Sequence, residues 1–164
     1  YGIDRLIRLF AEFSKQYEKQ TRLLIYGSGS EEENLKALVI ELGIQELVEF
    51  KGFVLGEKVV KAFNSLDIFV ALSRQESFGV AVLEAQACGV PVLVSDIGGL
   101  PEVVGEHSGI VISGEDMAAG LRVLLDLSDI KKRTEMGINA RIFVERNFSE
   151  TACVEKLINV YNEI

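Results

Sequence analysis

The stretch Asp67 to Asp96, DIFVALSRQESFGVAVLEAQACGVPVLVSD, decides the fold. It opens on DIFVALS, an apolar run rich in the β-branched and aromatic residues that fit a pleated sheet. A polar break at Arg74-Gln75-Glu76 precedes small and apolar residues that continue at helical pitch to about Cys88. Gly89 stops that helix, and Pro91 leads into a second apolar run, PVLVSD. Strand, helix and strand in roughly thirty residues make one crossover unit of a parallel sheet. The helix has two unusual residues. Glu76 stands at its mouth, and Glu84 lies among Val82, Leu83 and Ala85, neighbours that suggest burial.

Working outward, the same alternation repeats. Ile3, Leu6, Ile7, Leu9, Phe10 and Phe13 recur at helical spacing, and TRLLIYG then reads as a strand ended by glycine. Ser30 followed by Glu33 forms a capping-box pattern that opens a helix through about Leu42, stopped by Gly43. VEFKGF reads as a strand, Glu57–Ser65 as a short helix, and GIVIS as an edge strand after a Gly-Gly turn. From Asp116 the chain reads as helical, with breaks near Asp129 and Phe148-Ser149. The strands are nearly continuous apolar runs, as expected when helices cover both faces of the sheet. The expected fold is α/β: a Rossmann-like, doubly wound parallel sheet in a single domain over residues 1–164.

Composition limits the function. Hydrophobic residues are 48% and charged residues 26% of the 164, a globular balance. The 25 acidic and 17 basic residues give a formal net charge of −8, which excludes a broad nucleic-acid surface. One small anion is still allowed, because backbone amides at a helix start bind phosphate without lysine. Cys88 and Cys153 match no metal or redox spacing and read as free thiols. No run reaches the ~18 apolar residues of a membrane span, and no leader pattern is visible, so a cytoplasmic location is expected.

Ligands of such sheets bind beyond the carboxyl ends of the strands. Four glycine-bearing loops fall there: Gly27-Ser28-Gly29, Gly52-Phe53-Val54, Ser73 to Gly79, and Asp96 to Gly99. The first is not a dinucleotide fingerprint, because Glu32 occupies the third glycine position and Glu31 to Glu33 would repel a diphosphate. Ser77-Phe78-Gly79 is the better phosphate position, with free first-turn amides and no acid after Glu76. Eight residues at helical rise place Glu76 and Glu84 about 12 Å apart along the axis and ~80° apart around it. That is too far for a carboxylate pair flanking one bond. It suits two hydroxyl-binding carboxylates at opposite ends of one phosphate-bearing ligand.

These residues form a pattern: Glu76-Ser-Phe-Gly-x4-Glu84-Ala-x-Ala-x-Gly89-x-Pro91-Val, then Ser95-Asp96-x-Gly98-Gly99-x-Pro101-Glu102. It resembles the Glu-x7-Glu signature of the retaining "group 1" glycosyltransferases with the GT-B fold. YGSGSEEENLKAL, VEFKGFV, SLDIFVALS, GIVISGEDMAAGLRVLL and FSETACVEKLINVY resemble further segments of that family, in order. The resemblance implies the C-terminal, nucleotide-sugar-binding half of a transferase that builds polysaccharides or glycolipids. It implies that Glu84 holds the ribose hydroxyls and that Glu76, the catalytic-site carboxylate, contacts the transferred sugar. Ser77 and the amides of Phe78, Gly79 and Val80 would face the diphosphate and sugar. Phe53 and Val54 would lie against the base, and Gly27 and Gly29 would line the cleft. No metal and no cofactor beyond the nucleotide-diphosphate sugar are implied, and the donor phosphate would help deprotonate the acceptor.

The resemblance also implies an arginine and a lysine near the donor phosphates, in a strand and loop ahead of Gly2. Tyr1 stands beside Gly2, and Arg74 and Lys51 are not the matching positions. The expectation is therefore a fragment lacking the first strand and the N-terminal acceptor domain, inactive alone. A glycan or lipid-linked acceptor would be bound through that missing domain, with peripheral membrane contact at the inner face. Two rival readings are a nucleotide-sugar-binding regulatory module and a GT-B-type epimerase. The epimerase would want acid/base residues here, and the single histidine, His107, reads as a surface-loop residue in GEHSG. Lys131 to Arg133 read as a solvated helix face.

Overall fold

A computed structural model describes residues 2–162. The Tyr1 position discussed above lies outside the described residues. In chain order the elements are α1 (Ile3–Gln16), β1 (Leu23–Tyr26), α2 (Glu32–Glu41), β2 (Val48–Gly52), α3 (Glu57–Asn64), β3 (Phe69–Ala71) and α4 (Val80–Ala87). There follow β4 (Val92–Ser95), a 3-10 turn (Leu100–Val103), β5 (Gly109–Ile112), α5 (Met117–Asp126), α6 (Ile130–Phe148) and α7 (Glu150–Asn162).

Every strand pair is parallel, as expected. The strands fall into two ladders, β1-β2 and β3-β4-β5, with β5 at an edge. β4 is buried along its whole length, and its alternation serves two cores. Leu93 joins the core formed with α1, α2 and α5, where Leu6, Phe10 and Phe13 pack. Val92 and Val94 join the opposite core, with Phe63 of α3, Val82 and Ala85 of α4, and Leu100 and Val103. Helices therefore cover both faces, which is why the strands carry apolar residues without a polar side.

The helix ends show which sequence signals act. The Asp116 carboxylate accepts the Ala119 N–H at 2.8 Å, and that of Asp129 accepts the Lys131 N–H at 2.8 Å. Each anchors a helix start. The Ser30–Glu33 box does not form. The N-cap of α2 falls on Glu31, one residue later than the box requires, and has no side-chain cap. Glu33 turns away to Lys36 at 3.0 Å, so a nearby cation outcompetes the backbone for its carboxylate. The basic cluster on α6 is partly structural: Arg133 pairs with Asp67 at 2.9 Å, and Lys132 pairs with Asp126. Among the described residues, no helix is long and apolar enough to cross a membrane.

Candidate functional site

Because each ladder is parallel, the loops leaving β1 and β2 emerge together at one end of the first ladder, and those leaving β3 and β4 at one end of the second. The Gly27 N–H donates to the Gly52 carbonyl at 2.8 Å, so the first two loops are tied together. Gly29 is open, since a Cβ there would meet nothing within 4 Å. Phe53 is 69% exposed at the rim, while Val54 is half-buried.

The loop from Ser73 to Gly79 is held from three directions. From β4, the buried Ser95 hydroxyl donates to the Ser73 carbonyl at 2.8 Å. From α1, Asp4 accepts two N–H groups of Arg74, each at 2.6 Å. From the turn after β4, the Gly98 and Gly99 backbone lies directly on the loop. A Cβ at Gly98 would stand 1.8 Å from the Glu76 carbonyl oxygen, and one at Gly99 would stand 2.6 Å from that of Ser77. The Asp96–Gly99 turn thus supports the loop. Sequence alone gave no signal for Asp4, which lies seventy residues from its partner.

The hydrogen bond from Arg74 holds the Asp4 carboxyl down at about 2. A carboxyl depressed in the folded state stabilises it above the unfolded pKa of about 4, and that contribution is lost as pH falls toward 2. The side chains of Arg74 and Asp4 are 48% and 38% exposed, so solvent screening limits the pair to below about 1 kcal/mol. Asp4→Asn is therefore expected to lower the melting temperature slightly at pH 6. Melts of variant and parent should converge as the pH approaches 2.

Glu76 is half-buried, and its Oε1 accepts the Ser77 N–H at 3.0 Å. The carboxylate is therefore held on the turn that precedes α4. That helix begins at Val80 rather than at Ser77, with Gly79 as N-cap at φ 92° and ψ 46° and no side chain capping it. Left-handed backbone favours glycine here. Ser77 and Phe78 belong to the preceding turn, so a helical rise measures distance only from Val80 onward. No side chain caps this helix: the Val82 N–H donates to the Gly79 carbonyl at 2.9 Å, and the first turn carries the positive end of the helix dipole.

Glu84 corrects the expectation of burial. It is exposed, as are Val80, Ala81 and Ala87, while Val82, Ala85 and Gln86 form the buried face. Among the described residues, no ion pair or hydrogen bond of its side chain is present. A partner is not needed, because water solvates an exposed carboxylate. Val80 and Glu84 lie one turn apart, about 6 Å along the axis, on one open helix face. Apolar residues populate both faces of α4, which is why the pattern hid this.

A cavity of about 800 Å³ has Val54, Glu76 and Gly79 in its lining. Gly27, Gly29, Phe53, Ser77, Phe78, Val80 and Glu84 lie outside its lining. Phe78 is 43% exposed, with its ring 6.2 Å from that of Phe148. Lys51 is paired with Glu49, and His107 is an exposed loop residue at φ 61° beside Glu106. Among the described residues, no group of three or more His, Cys, Asp or Glu side chains could hold a metal ion.

The family model for Glycosyl transferases group 1 matches residues 1–143. The chain belongs to the group 1 glycosyltransferases. The D-inositol 3-phosphate glycosyltransferase of Corynebacterium efficiens is 34% identical to it over 169 residues, 99% of this chain and 40% of that protein. Among solved structures, sucrose-phosphate synthase from Thermosynechococcus elongatus superposes with a TM-score of 0.83 at 27% identity, over 99% of this chain and 42% of that one. A mutant of S. aureus TarM superposes at 0.86 with 23% identity, over 98% of this chain and 32% of that one. These neighbours are GT-B glycosyltransferases, and this group 1 domain has the Rossmann-like fold of one GT-B half. The chain spans 40% of the length of that curated relative.

Proposed function

We propose that this group 1 domain is the donor-binding half of a retaining glycosyltransferase that moves a sugar from a nucleotide diphosphate to a glycan or lipid-linked acceptor. One observation carries the reading. The start of α4, which no side chain caps, lies between Glu76, held on the turn before it, and Glu84, exposed one turn into the helix. The TarM structure, which shares the fold, is a complex containing UDP.

In this reading the donor lies across the mouth of α4. The amides of Phe78, Gly79 and Val80, with Ser77 beside them, meet the diphosphate and sugar. As the glycosidic bond breaks, negative charge grows on the departing phosphate, and the helix dipole is already aimed at it. Charge neutralisation thus falls to backbone amides rather than to a metal. Glu84 accepts the ribose hydroxyls, while Glu76 accepts hydroxyls of the transferred sugar and keeps it in register. Phe53 and Val54 flank the base, and the open backbone at Gly27 and Gly29 permits close approach. The acceptor hydroxyl attacks on the face the phosphate leaves and gives its proton to that phosphate, so configuration is retained and neither glutamate becomes covalently bound. The acceptor site belongs to the other half of the enzyme.

It follows that the 164-residue chain binds donor weakly and transfers nothing. Incubation with a nucleotide-sugar panel and glycan acceptors, read by product analysis, checks this. Full-rate transfer by the chain alone would contradict the division of labour.

A further inference from the structure

Because α4 has apolar residues on every side, hydrophobic burial alone does not decide which face it turns inward. Its buried face, Val82, Ala85 and Gln86, contains one polar side chain. Gln86 is fully buried, and an amide in such a place costs free energy unless its hydrogen bonds are met. They are met by partners at fixed positions. Nε2 donates to the Val103 carbonyl at 2.7 Å and, less closely, to the Val82 carbonyl one turn back at 3.3 Å. Oε1 accepts the hydroxyl of Ser108, also fully buried, at 3.0 Å. The Ser108 oxygen in turn accepts the Gly105 N–H at 2.7 Å. Rotating α4 in its seat would exchange one apolar face for another, but it would leave these groups unpaired.

The partners belong to the segment that shapes the site. Val103 ends the 3-10 turn that opens at Leu100, directly after the Gly98-Gly99 pair pressed on the Glu76 loop. The same turn packs on the N-cap of α4: a Cβ at Gly79 would stand 2.7 Å from Leu100 Cδ2 and 3.3 Å from Val103 Cγ2. The 3-10 turn thus touches α4 at its N-cap and is bonded to it again about two turns on, at Gln86. Glu84 and Gln86, two residues apart, lie about 200° apart around the axis. Fixing Gln86 inward therefore fixes Glu84 outward.

We propose that Gln86 is a positioning residue for the donor site: its buried amide sets the rotation of α4 and the seat of the 3-10 turn, and through them the relative placement of Glu76 and Glu84. It touches no ligand itself. The consequence for affinity rests on the donor-binding reading, whereas the setting of the helix does not.

The test compares the chain with its Gln86→Met, Ser108→Ala and Leu127→Ala variants. Methionine keeps the length and bulk of the side chain and removes the amide. Leu127, fully buried at the end of α5 and outside both α4 and the 3-10 turn, controls for stability loss alone. The readouts are melting temperature, amide hydrogen exchange without ligand, and titration well below every melt with the tightest binder in a panel of UDP-, GDP- and ADP-linked hexoses. Gln86→Met is expected to lower the melting temperature by about 5 °C and to weaken donor binding by about tenfold. Exchange across Val80–Ala87 should run about tenfold faster than in Leu127→Ala. Ser108→Ala should weaken binding by only about threefold, since Gln86 keeps its bond to Val103. Leu127→Ala should melt at least as low as Gln86→Met, yet bind within about twofold of the parent. Parent affinity in Gln86→Met, or a loss matched by Leu127→Ala, would overturn the positioning role. Equal exchange across α4 in those two variants would overturn the helix setting. A parent that binds no member of the panel would sink the donor reading instead, and exchange at α4 would then decide this proposal alone.

Discussion

Glu84→Ala is expected to weaken nucleotide-sugar binding by about tenfold to a hundredfold while leaving the fold unchanged. Hydrogen bonds to a charged group contribute about 1.5–3 kcal/mol each when formed, which corresponds to that range of affinity. The side chain is exposed and, among the described residues, makes no ion pair, so its removal costs the folded chain under about 0.5 kcal/mol. Binding and stability therefore separate cleanly at this position. Glu84→Gln should fall between the two, since an amide oxygen still accepts a hydroxyl but without the charge. Isothermal titration with the preferred donor, beside a melt of each variant, reads both quantities. Unchanged affinity in Glu84→Ala would remove the ribose role.

The second large effect is expected at Gly98. Its φ of 57° is left-handed, which costs an L-residue about 1–2 kcal/mol. Its Cβ position also falls 1.8 Å from the backbone oxygen of Glu76, an atom that cannot swing aside like a side-chain tip. Gly98→Ala must therefore push the Glu76 loop or the Asp96–Gly99 turn out of place. A stability loss of about 2–4 kcal/mol is expected, with donor affinity falling further than in Glu84→Ala because the mouth of α4 moves. Gly29→Ala is the stability control, since a Cβ there meets nothing within 4 Å. Urea unfolding of the two variants should show the contrast, and equal midpoints would mean that the turn yields easily.

Much of the fold was legible because its strands are short apolar runs between glycine stops. LLIY, VEFKG and VLVS appear in the structure within two residues of their predicted limits. The helical reading from Asp116 and the break near Asp129 both fall where an aspartate caps a helix, although the sequence reading named neither as a cap. The failures share one cause, competition settled in three dimensions. Glu33 had two partners available, the helix backbone and Lys36, and only the fold shows that lysine won. Glu84 sits among residues that are apolar on every side of α4, so periodicity could not assign it a face. The Asp4–Arg74 pair joins the first helix to the site loop, and the Gly98–Glu76 contact joins two loops, and neither leaves a local pattern.

For the candidate site, the sequence pattern identified the loops and the two glutamates, and the geometry supplies their settings. Glu76 is constrained, with its carboxylate bonded to the next amide and its backbone wedged against Gly98. Glu84 is free to meet a ligand from solvent. In the proposed mechanism a rigid group aligns the reacting sugar and an open one captures the nucleotide.

The most direct test is a titration of the isotopically labelled chain with nucleotide sugars and their nucleoside diphosphates, followed by amide chemical shifts. Fast-exchange spectra report binding even in the millimolar range that a half-enzyme is expected to show. The account predicts saturable shifts confined to Gly27–Gly29, Phe53–Val54, Glu76–Val80 and the Glu84 turn, with the diphosphate alone moving the Phe78–Val80 amides. No shift with any donor at millimolar concentration, or shifts centred away from the mouth of α4, would contradict it.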